Sequence, residues 1–279
     1  MLFRSRGLRP VVEIMFGDFT TLIADQVINH LSKFQSMYPG VSSVPVVIRT
    51  PMGGRRGYGP THSQTLEKLY LGVPGLTVLA PFHLLGQSAL GSPGDLLAEA
   101  ILNQNSPTMV IENKLQYLLK LMTAVDLAEF DLIVRRLDDA VRSPCYQIAV
   151  KGAPPPQITL TAYGYMAHLA LEAVRSLAYD LEIFCELIVP TRLAPFDLAT
   201  LIESVRQTGR LLTVEEGTFS MGWGAEALAR SSEALGAQLR QASRLAGAEG
   251  VIPVAPELEA RCLPSVDAII DRVRKMVAA

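Results

Sequence analysis

The chain has 279 residues, of which 49% are hydrophobic and 19% charged, and its formal net charge is −2. This composition indicates a globular protein of one large or two ordinary domains and excludes the disordered class. The charge gives no electrostatic reason to expect nucleic acid or an anionic membrane as a partner, and no apolar run reaches the roughly 18 residues of a membrane span.

The cysteines and the N-terminus indicate the compartment. Cys145, Cys185 and Cys262 are widely spaced and form neither a disulfide framework nor a paired metal motif, so we expect a cytoplasmic protein. The first residues are basic and then apolar, as in a signal sequence, but Glu13 interrupts the apolar run and no small-residue cleavage site follows. We therefore interpret residues 11–16 as a first strand, buried on both faces.

The first half of the chain alternates predicted strands and helices. Apolar residues at helical spacing predict a helix over residues 20–34, and a Ser-Pro-Gly-Asp start precedes a helix over 96–104. The other predicted elements are strands at 44–50, 76–81 and 108–112, a short helix at 62–71, and a charged helical stretch at 115–142. This alternation is typical of a parallel α/β sheet.

A linker with three consecutive prolines, residues 151–156, divides the chain. Beyond it the alternation begins again, with strands predicted at 158–162, 181–189, 211–215 and 251–254, and helices at 166–178, 196–206, 225–235 and 265–277. We therefore predict two α/β domains with parallel sheets, over residues 1–150 and 157–279.

Histidine is scarce, and one of the four histidines has a distinctive setting. His62 follows a glycine-rich loop that lets the backbone approach a ligand closely, whereas His30, His83 and His168 fit surface or structural positions. On spacing alone, a structural loop histidine is the more frequent interpretation of His62 as well. No ligand spacing typical of zinc and no acidic cluster predicts a metal site.

Charged residues flank the same loop and a later strand. Arg55 and Arg56 are adjacent, so their side chains are expected to diverge, and at most one points into a cleft. A guanidinium there suits a carboxylate or phosphate, although a solvated turn is the alternative. Glu215 and Glu216 precede Gly217 at a predicted strand end, where α/β sheets place ligand-facing groups, but adjacent acids there are more often a helix-entry feature.

Three segments together resemble a known family. They are residues 13–19 with Asp25-Gln26, Thr61-His62-Ser63-Gln64, and Val214-Glu215-Glu216-Gly217 with residues 222–226. The chain resembles, over nearly its whole length, the β-subunit of thiamine-diphosphate-dependent 2-oxo acid dehydrogenases of the pyruvate and branched-chain kind. The resemblance implies a pyrimidine-binding transketolase-like domain followed by a transketolase C-terminal-type domain.

The resemblance also implies roles for individual residues. Phe19 stands where the family stacks an aromatic ring on the cofactor's pyrimidine, for which a flat π-face is adequate. His62 matches the histidine implicated in proton and acyl transfer, work that suits an imidazole. Arg55 or Arg56 would meet substrate or an incoming lipoyl domain.

Two further segments receive structural roles from the resemblance. The stretch that contains Asn103 and Asn105 is similar to a segment whose carbonyl oxygens bind a structural potassium ion in some members. The C-terminal domain serves mainly assembly, so Glu215 and Glu216 stay structural, and Trp223 between two glycines is expected to be an aromatic residue of an oligomer interface.

The implied cofactor is thiamine diphosphate with Mg²⁺, shared with an α-type subunit that carries the magnesium and diphosphate motif. The other expected partner is a lipoyl-bearing acyltransferase, and the expected assembly is a homodimer or heterotetramer.

The pattern departs from the family at its start. Only eight residues precede Arg9 and none is acidic, so the family's cofactor-activating glutamate has no counterpart and the pyrimidine domain is expected to be truncated. We expect an unpaired sheet edge near residues 11–16 and a chain that alone is inactive and binds the cofactor weakly. The alternatives are a non-catalytic assembly partner and another transketolase-like thiamine-diphosphate enzyme.

Overall fold

The protein is described by a computed structural model, which covers residues 7–40, 43–85, 92–137 and 142–278. The described strands are β1 Val11–Glu13, β2 Val47–Met52, β3 Thr77–Leu79, β4 Thr108–Asn113, β5 Phe130–Leu137, β6 Ser143–Val150, β7 Ile158–Ala162, β8 Cys185–Pro190, β9 Arg192–Ala194, β10 Arg210–Thr218 and β11 Gln241–Gly247. The described α-helices are α1 Phe34–Met37, α2 Pro93–Leu102, α3 Gly164–Leu181, α4 Ala199–Thr208, α5 Trp223–Leu235, α6 Pro256–Cys262 and α7 Val266–Ala278.

The strands form two sheets. The first has the order β1-β2-β4-β3-β9, and its strands are parallel except for β9. The second has the order β11-β10-β7-β8-β6-β5, with β5 and β6 antiparallel to their neighbours. The predicted architecture of two α/β units with mostly parallel sheets is confirmed.

The first sheet ends in an exposed edge at β1. Among the described strands it pairs with β2 alone, and Val11 and Val12 are 45% and 41% exposed. The expected unpaired edge is confirmed. The interpretation of residues 11–16 as a strand buried on both faces is wrong, because β1 has one neighbour and stops at Glu13.

The segment after β1 is not the continuous helix predicted over residues 20–34. It forms a 3₁₀ helix, Gly17–Ile23, then a π-helical stretch, Gln26–Leu31, and then α1. The Thr20 hydroxyl donates to the carbonyl of Gly17 at 2.6 Å, a local bond that favours the tight 3₁₀ turn. The Tyr70 hydroxyl also donates to the Thr20 carbonyl at 2.6 Å, so a tertiary contact holds this turn.

The charged stretch predicted as helix over residues 115–142 contains no α-helix among its described residues, and its longest element is a strand. It contains a short 3₁₀ helix, Gln116–Leu118, and then β5, which pairs with β6 along its whole length. Ile133 and Val134 are β-branched and favour an extended chain, and pairing with β6 satisfies the backbone. The helical prediction is therefore wrong here, and residues 138–141 lie outside the described part.

The C-terminal half also contains two elements that sequence periodicity missed. Besides these two elements, β11 and α6, the short strand β9 was also missed, and the strand predicted at residues 251–254 is absent from the described structure there. The linker at 151–156 does not divide the two sheets, because β5 and β6 precede it and join the second sheet, whereas β9 follows it and joins the first. Each of the two predicted domains, 1–150 and 157–279, therefore contributes strands to both sheets.

One hydrophobic core is shared between the sheets. Ile48 and Met109 of the first sheet belong to the same buried cluster as Leu201 and Trp223. Trp223 is only 1% exposed, and its ring centroid lies 6.1 Å from that of Phe196 in a stacked arrangement. The expectation that Trp223 is an interface residue is therefore wrong, because the indole fills the core of the chain itself.

None of the described helices combines the length and the hydropathy that a membrane crossing requires.

Candidate functional site

The site lies at the carboxyl ends of two neighbouring strands of the first sheet. The site loop, residues 53–62, follows β2, and Lys114 follows β4 directly. Gly17 allows the 3₁₀ helix to approach β2, because a Cβ at this position would overlap the side chain of Met52. Two segments far apart in sequence, residues 17–23 and the site loop, thus meet where parallel sheets place ligands.

The two principal residues predicted from the sequence come together here. The ring centroids of Phe19 and His62 lie 5.2 Å apart with an edge-to-face orientation. The ring centroid of Phe16 lies 4.6 Å from that of the same imidazole, and the Thr61 hydroxyl lies 2.8 Å from His62 Nδ1. Phe19 and His62 are both half-buried, so aromatic faces and an imidazole line a partly open site.

Lys114 is a site residue that the sequence analysis missed. Its ammonium donates to the carbonyl of His62 and lies 5.1 Å from the ring centroid of Phe16 and 5.4 Å from that of Tyr58. The residue is buried, and burial lowers the pKa of the lysine, while the nearby carboxylates of Asp18 and others oppose this shift. Its position directly after a buried strand was the signal that could have identified it.

Two carboxylates from the second half of the chain hold the site loop. Glu216 accepts from the backbone N–H of Gly54 at 2.7 Å and from Asn113 Nδ2 at 2.9 Å. Glu259, in α6, accepts from the N–H groups of Arg55 at 2.8 Å and Gly57 at 3.2 Å. Glu216 therefore has a structural role, as expected, and that role is to hold the site loop.

Arg55 and Arg56 diverge, as their adjacency predicts. The Arg55 guanidinium lies 5.8 Å from the ring centroid of Tyr165 and donates to the carbonyl of Pro264, so it faces the second half of the chain. Arg56 is exposed and lies 5.8 Å from the centroid of Tyr58. Arg56 is therefore the more accessible guanidinium of the pair for a partner or substrate.

Two more buried acids lie beneath the site loop. Glu67 accepts from the Tyr163 hydroxyl at 2.6 Å, and Glu215 accepts from the N–H of Gly224 at 3.1 Å. The second carboxylate oxygen of each has no hydrogen-bond partner among the described residues. Burial raises the pKa of Glu67, and burial together with the charge of Glu67 raises the pKa of Glu215 to about 8.

The predicted potassium segment is occupied by a side chain from the N-terminal strand region. Arg9 donates to the carbonyl oxygens of Gln104 at 2.5 Å and Ile101 at 3.3 Å, and to Asn105 Oδ1 at 3.2 Å. Asn103 instead donates to a carboxylate oxygen of Glu99. A guanidinium thus already occupies these acceptor oxygens, and the potassium site stays a prediction that the contacts do not favour.

The side chains at the site fit one end of an aminopyrimidine cofactor. Phe19 presents a ring for stacking, and the buried atoms Asp18 Oδ2 and Ser63 Oγ have no hydrogen-bond partner among the described residues. Across residues 7–40, 43–85, 92–137 and 142–278, no group of three or more His, Cys, Asp or Glu side chains is placed to hold a metal ion. The fit therefore covers the ring end and not the magnesium and diphosphate end.

Comparisons with known proteins identify both halves of the chain. Residues 2–118 match the model of the transketolase pyrimidine-binding domain, and residues 148–269 match that of the transketolase C-terminal domain. Among solved structures, the chain resembles a split-gene transketolase in an inactive beta4 tetramer, with a TM-score of 0.66, 17% identity, and coverage of 98% of this chain and 78% of that chain. The fold and the two domain matches thus define a two-domain protein of the transketolase type.

Relatives in sequence show which family of transketolase-type proteins the chain belongs to. The chain is 34% identical over 274 residues to pyruvate dehydrogenase E1 component subunit beta-2 of Oryza sativa, covering 97% of this chain and 67% of that protein. It is 32% identical over 271 residues to the human pyruvate dehydrogenase E1 beta subunit, covering 96% and 70%. It is 31% identical over 277 residues to the acetoin:2,6-dichlorophenolindophenol oxidoreductase beta subunit of Cupriavidus necator, covering 96% and 73%. The chain belongs to the family of E1 β-type subunits.

Proposed function

We propose that this chain is the β-type component of a 2-oxo acid dehydrogenase that acts on pyruvate or a similar small 2-oxo acid. The observation that carries the proposal is the pairing of Phe19 and His62, whose ring centroids lie 5.2 Å apart at the carboxyl end of the first sheet. Family membership supports thiamine diphosphate as the cofactor. The acyl group would pass to lipoamide on a lipoyl-bearing acyltransferase.

Each side chain of the site has a physical task in this proposal. Thiamine diphosphate supplies the carbanion chemistry of decarboxylation when it is bound. The ring of Phe19 would hold the pyrimidine by stacking, and the imidazole of His62 would serve as the proton donor and acceptor beside it. Lys114 fixes the backbone of His62, and Glu216 with Glu259 fixes the loop that carries it.

Other chains complete the proposed assembly. We assign the Mg²⁺ and diphosphate ligands to an α-type partner in a heterotetramer, because the described residues offer no metal-binding group. The exposed Arg56 on the site loop is a contact candidate for the lipoyl domain or the substrate. The described cysteines are unpaired, which fits a reducing cytoplasm.

A second candidate function differs in substrate and electron acceptor. The similarity to an acetoin:2,6-dichlorophenolindophenol oxidoreductase beta subunit favours another thiamine-diphosphate reaction on the same site residues. A non-catalytic assembly role is the third possibility, and it predicts that His62 is dispensable.

Reconstitution with a co-expressed α-type subunit tests these proposals. Decarboxylation of pyruvate with lipoyl acceptor and cleavage of acetoin with dichlorophenolindophenol would be measured on the same preparation. His62→Ala is the test variant, and His30→Ala is the matched control because the His30 side chain is 57% exposed and outside the site. Turnover that needs His62 supports an enzyme, whereas equal absence of turnover in all variants supports the assembly role.

A further inference from the structure

Asp18 is a buried carboxylate with one oxygen that the described chain does not satisfy. The residue is 8% exposed, and its Oδ1 accepts from Gln64 Nε2 at 2.8 Å. Its Oδ2 is buried and has no hydrogen-bond partner among the described residues. An unpaired buried carboxylate oxygen is unfavourable, so this atom requires a donor from outside the described side chains.

The setting of Asp18 indicates what kind of donor that is. Asp18 directly precedes Phe19, and Gln64, its hydrogen-bond partner, lies two residues after His62. The ammonium of Lys114 interacts favourably with the Asp18 carboxylate and supplies part of the charge compensation. The carboxylate therefore belongs to one segment of the aromatic site, residues 17–23, and is held by a residue just beyond the other, the site loop.

We propose that Asp18 is a ligand-binding residue whose Oδ2 accepts a hydrogen bond from the amino group of an aminopyrimidine ring stacked on Phe19. The inference rests on the proposed function, because it takes thiamine diphosphate as the ligand. A planar ring on Phe19 presents its edge groups to the residues beside Phe19, and an exocyclic amino group is a donor that complements a carboxylate. Asp18 lies within the segment 13–19 that carries the resemblance, but the sequence analysis gave it no role.

Asp18→Asn is a nearly isosteric test. The asparagine keeps an oxygen that accepts from Gln64 but places an NH₂ donor where the ligand donor needs an acceptor. In the complete complex with its α-type partner, calorimetry with thiamine diphosphate and Mg²⁺ is expected to show a Kd raised roughly 10- to 100-fold, the range typical of a lost bond to a charged group. Far-UV circular dichroism and the Tm would verify that the variant folds.

Two control variants separate binding from loop placement. Gln64→Leu removes the contact to the loop and leaves both oxygens of Asp18, so a smaller change in Kd is expected. Asp131→Asn alters an exposed carboxylate on β5 and is expected to leave the Kd unchanged. A loss with Gln64→Leu equal to that with Asp18→Asn would overturn the inference, because the carboxylate would then act only through the loop.

An analogue provides a second measurement that does not depend on catalysis. Thiamine diphosphate with its ring amino group replaced by oxygen should bind the wild-type complex more weakly than the cofactor does, and Asp18→Asn should abolish this preference. If the variant binds the cofactor as the wild type does, or keeps the preference, the inference fails while the proposed function stands. If the wild-type complex does not bind the cofactor at all, the proposed function fails and the inference fails with it.

Discussion

Replacing Glu215 by glutamine should change how the stability of the protein depends on pH. Glu215 is fully buried, and burial with the charge of Glu67 raises its pKa from 4.5 to about 8. The folded protein therefore retains a proton that the unfolded chain releases, so the free energy of unfolding falls as the pH rises between these two values. For one such group, the free energy of unfolding falls by about 1.4 kcal/mol for each pH unit in this window.

The glutamine side chain mimics the protonated carboxyl without titrating. Its oxygen can still accept from the N–H of Gly224, and its NH₂ group takes the position of Oε2, which has no partner among the described residues. The free energy of unfolding of the variant should thus rise relative to that of the wild type by about 1.4 kcal/mol per pH unit, on the order of a few kcal/mol across the window. Burial also raises the pKa values of Glu67 and Glu216, so only the difference between the two proteins isolates Glu215.

Urea unfolding at several pH values between the ordinary and the raised pKa measures this difference. The fluorescence of Trp223 is a suitable signal, since it is the single tryptophan and is buried in the core. Glu233→Gln on the exposed side of α5 is the matched control and should follow the wild type. Parallel curves for the wild type and Glu215→Gln would refute the assignment of a retained proton to this residue.

Four further outcomes are expected. His62→Ala in the reconstituted complex should lower kcat roughly 100- to 10,000-fold while the Tm stays near that of the wild type, and unchanged turnover would contradict a role in proton transfer. Gly53→Ala should destabilise the protein by about 1–3 kcal/mol in urea unfolding, because Gly53 has a φ of +98° and a Cβ would lie 2.5 Å from Asn113 Nδ2. Trp223→Ala should lower the free energy of unfolding by about 3–5 kcal/mol in the same assay, and a small decrease would show that the indole does not fill the core. Potassium should raise the Tm no more than sodium does in the wild type, since Arg9 already donates to the carbonyls near Asn105, and a specific potassium effect would restore the predicted ion site.

The local pattern of the sequence predicted the alternating architecture, and the family resemblance indicated the main candidate residues of the site. Apolar strands, the glycine loop and the triple-proline linker are local signals, and the predicted strand at residues 158–162 has the bounds of β7. The resemblance singled out Phe19 and the loop histidine His62, and the structure brings the two rings together.

Tertiary structure decided what local pattern cannot express. The stretch at 115–142 has charged residues at spacings that fit a helix, yet pairing with β6 makes part of it a strand, because a partner strand satisfies its backbone. Trp223 looked like an interface residue between two glycines, but it is buried since the surrounding helices and sheet enclose it.

The same distinction holds within the site. The position of Lys114 after a strand marks it only as a candidate, and Asp18 and Glu259 received no role from the sequence, because each of the three acts through a contact with residues far away along the chain. Glu259 accepts from the N–H of Arg55 across 204 positions, and Lys114 donates to the carbonyl of His62 across 52. Sequence determined which groups are available for chemistry, and only folding determined which of them are brought together, because hydrogen bonds and burial depend on distance in space and not on separation along the chain.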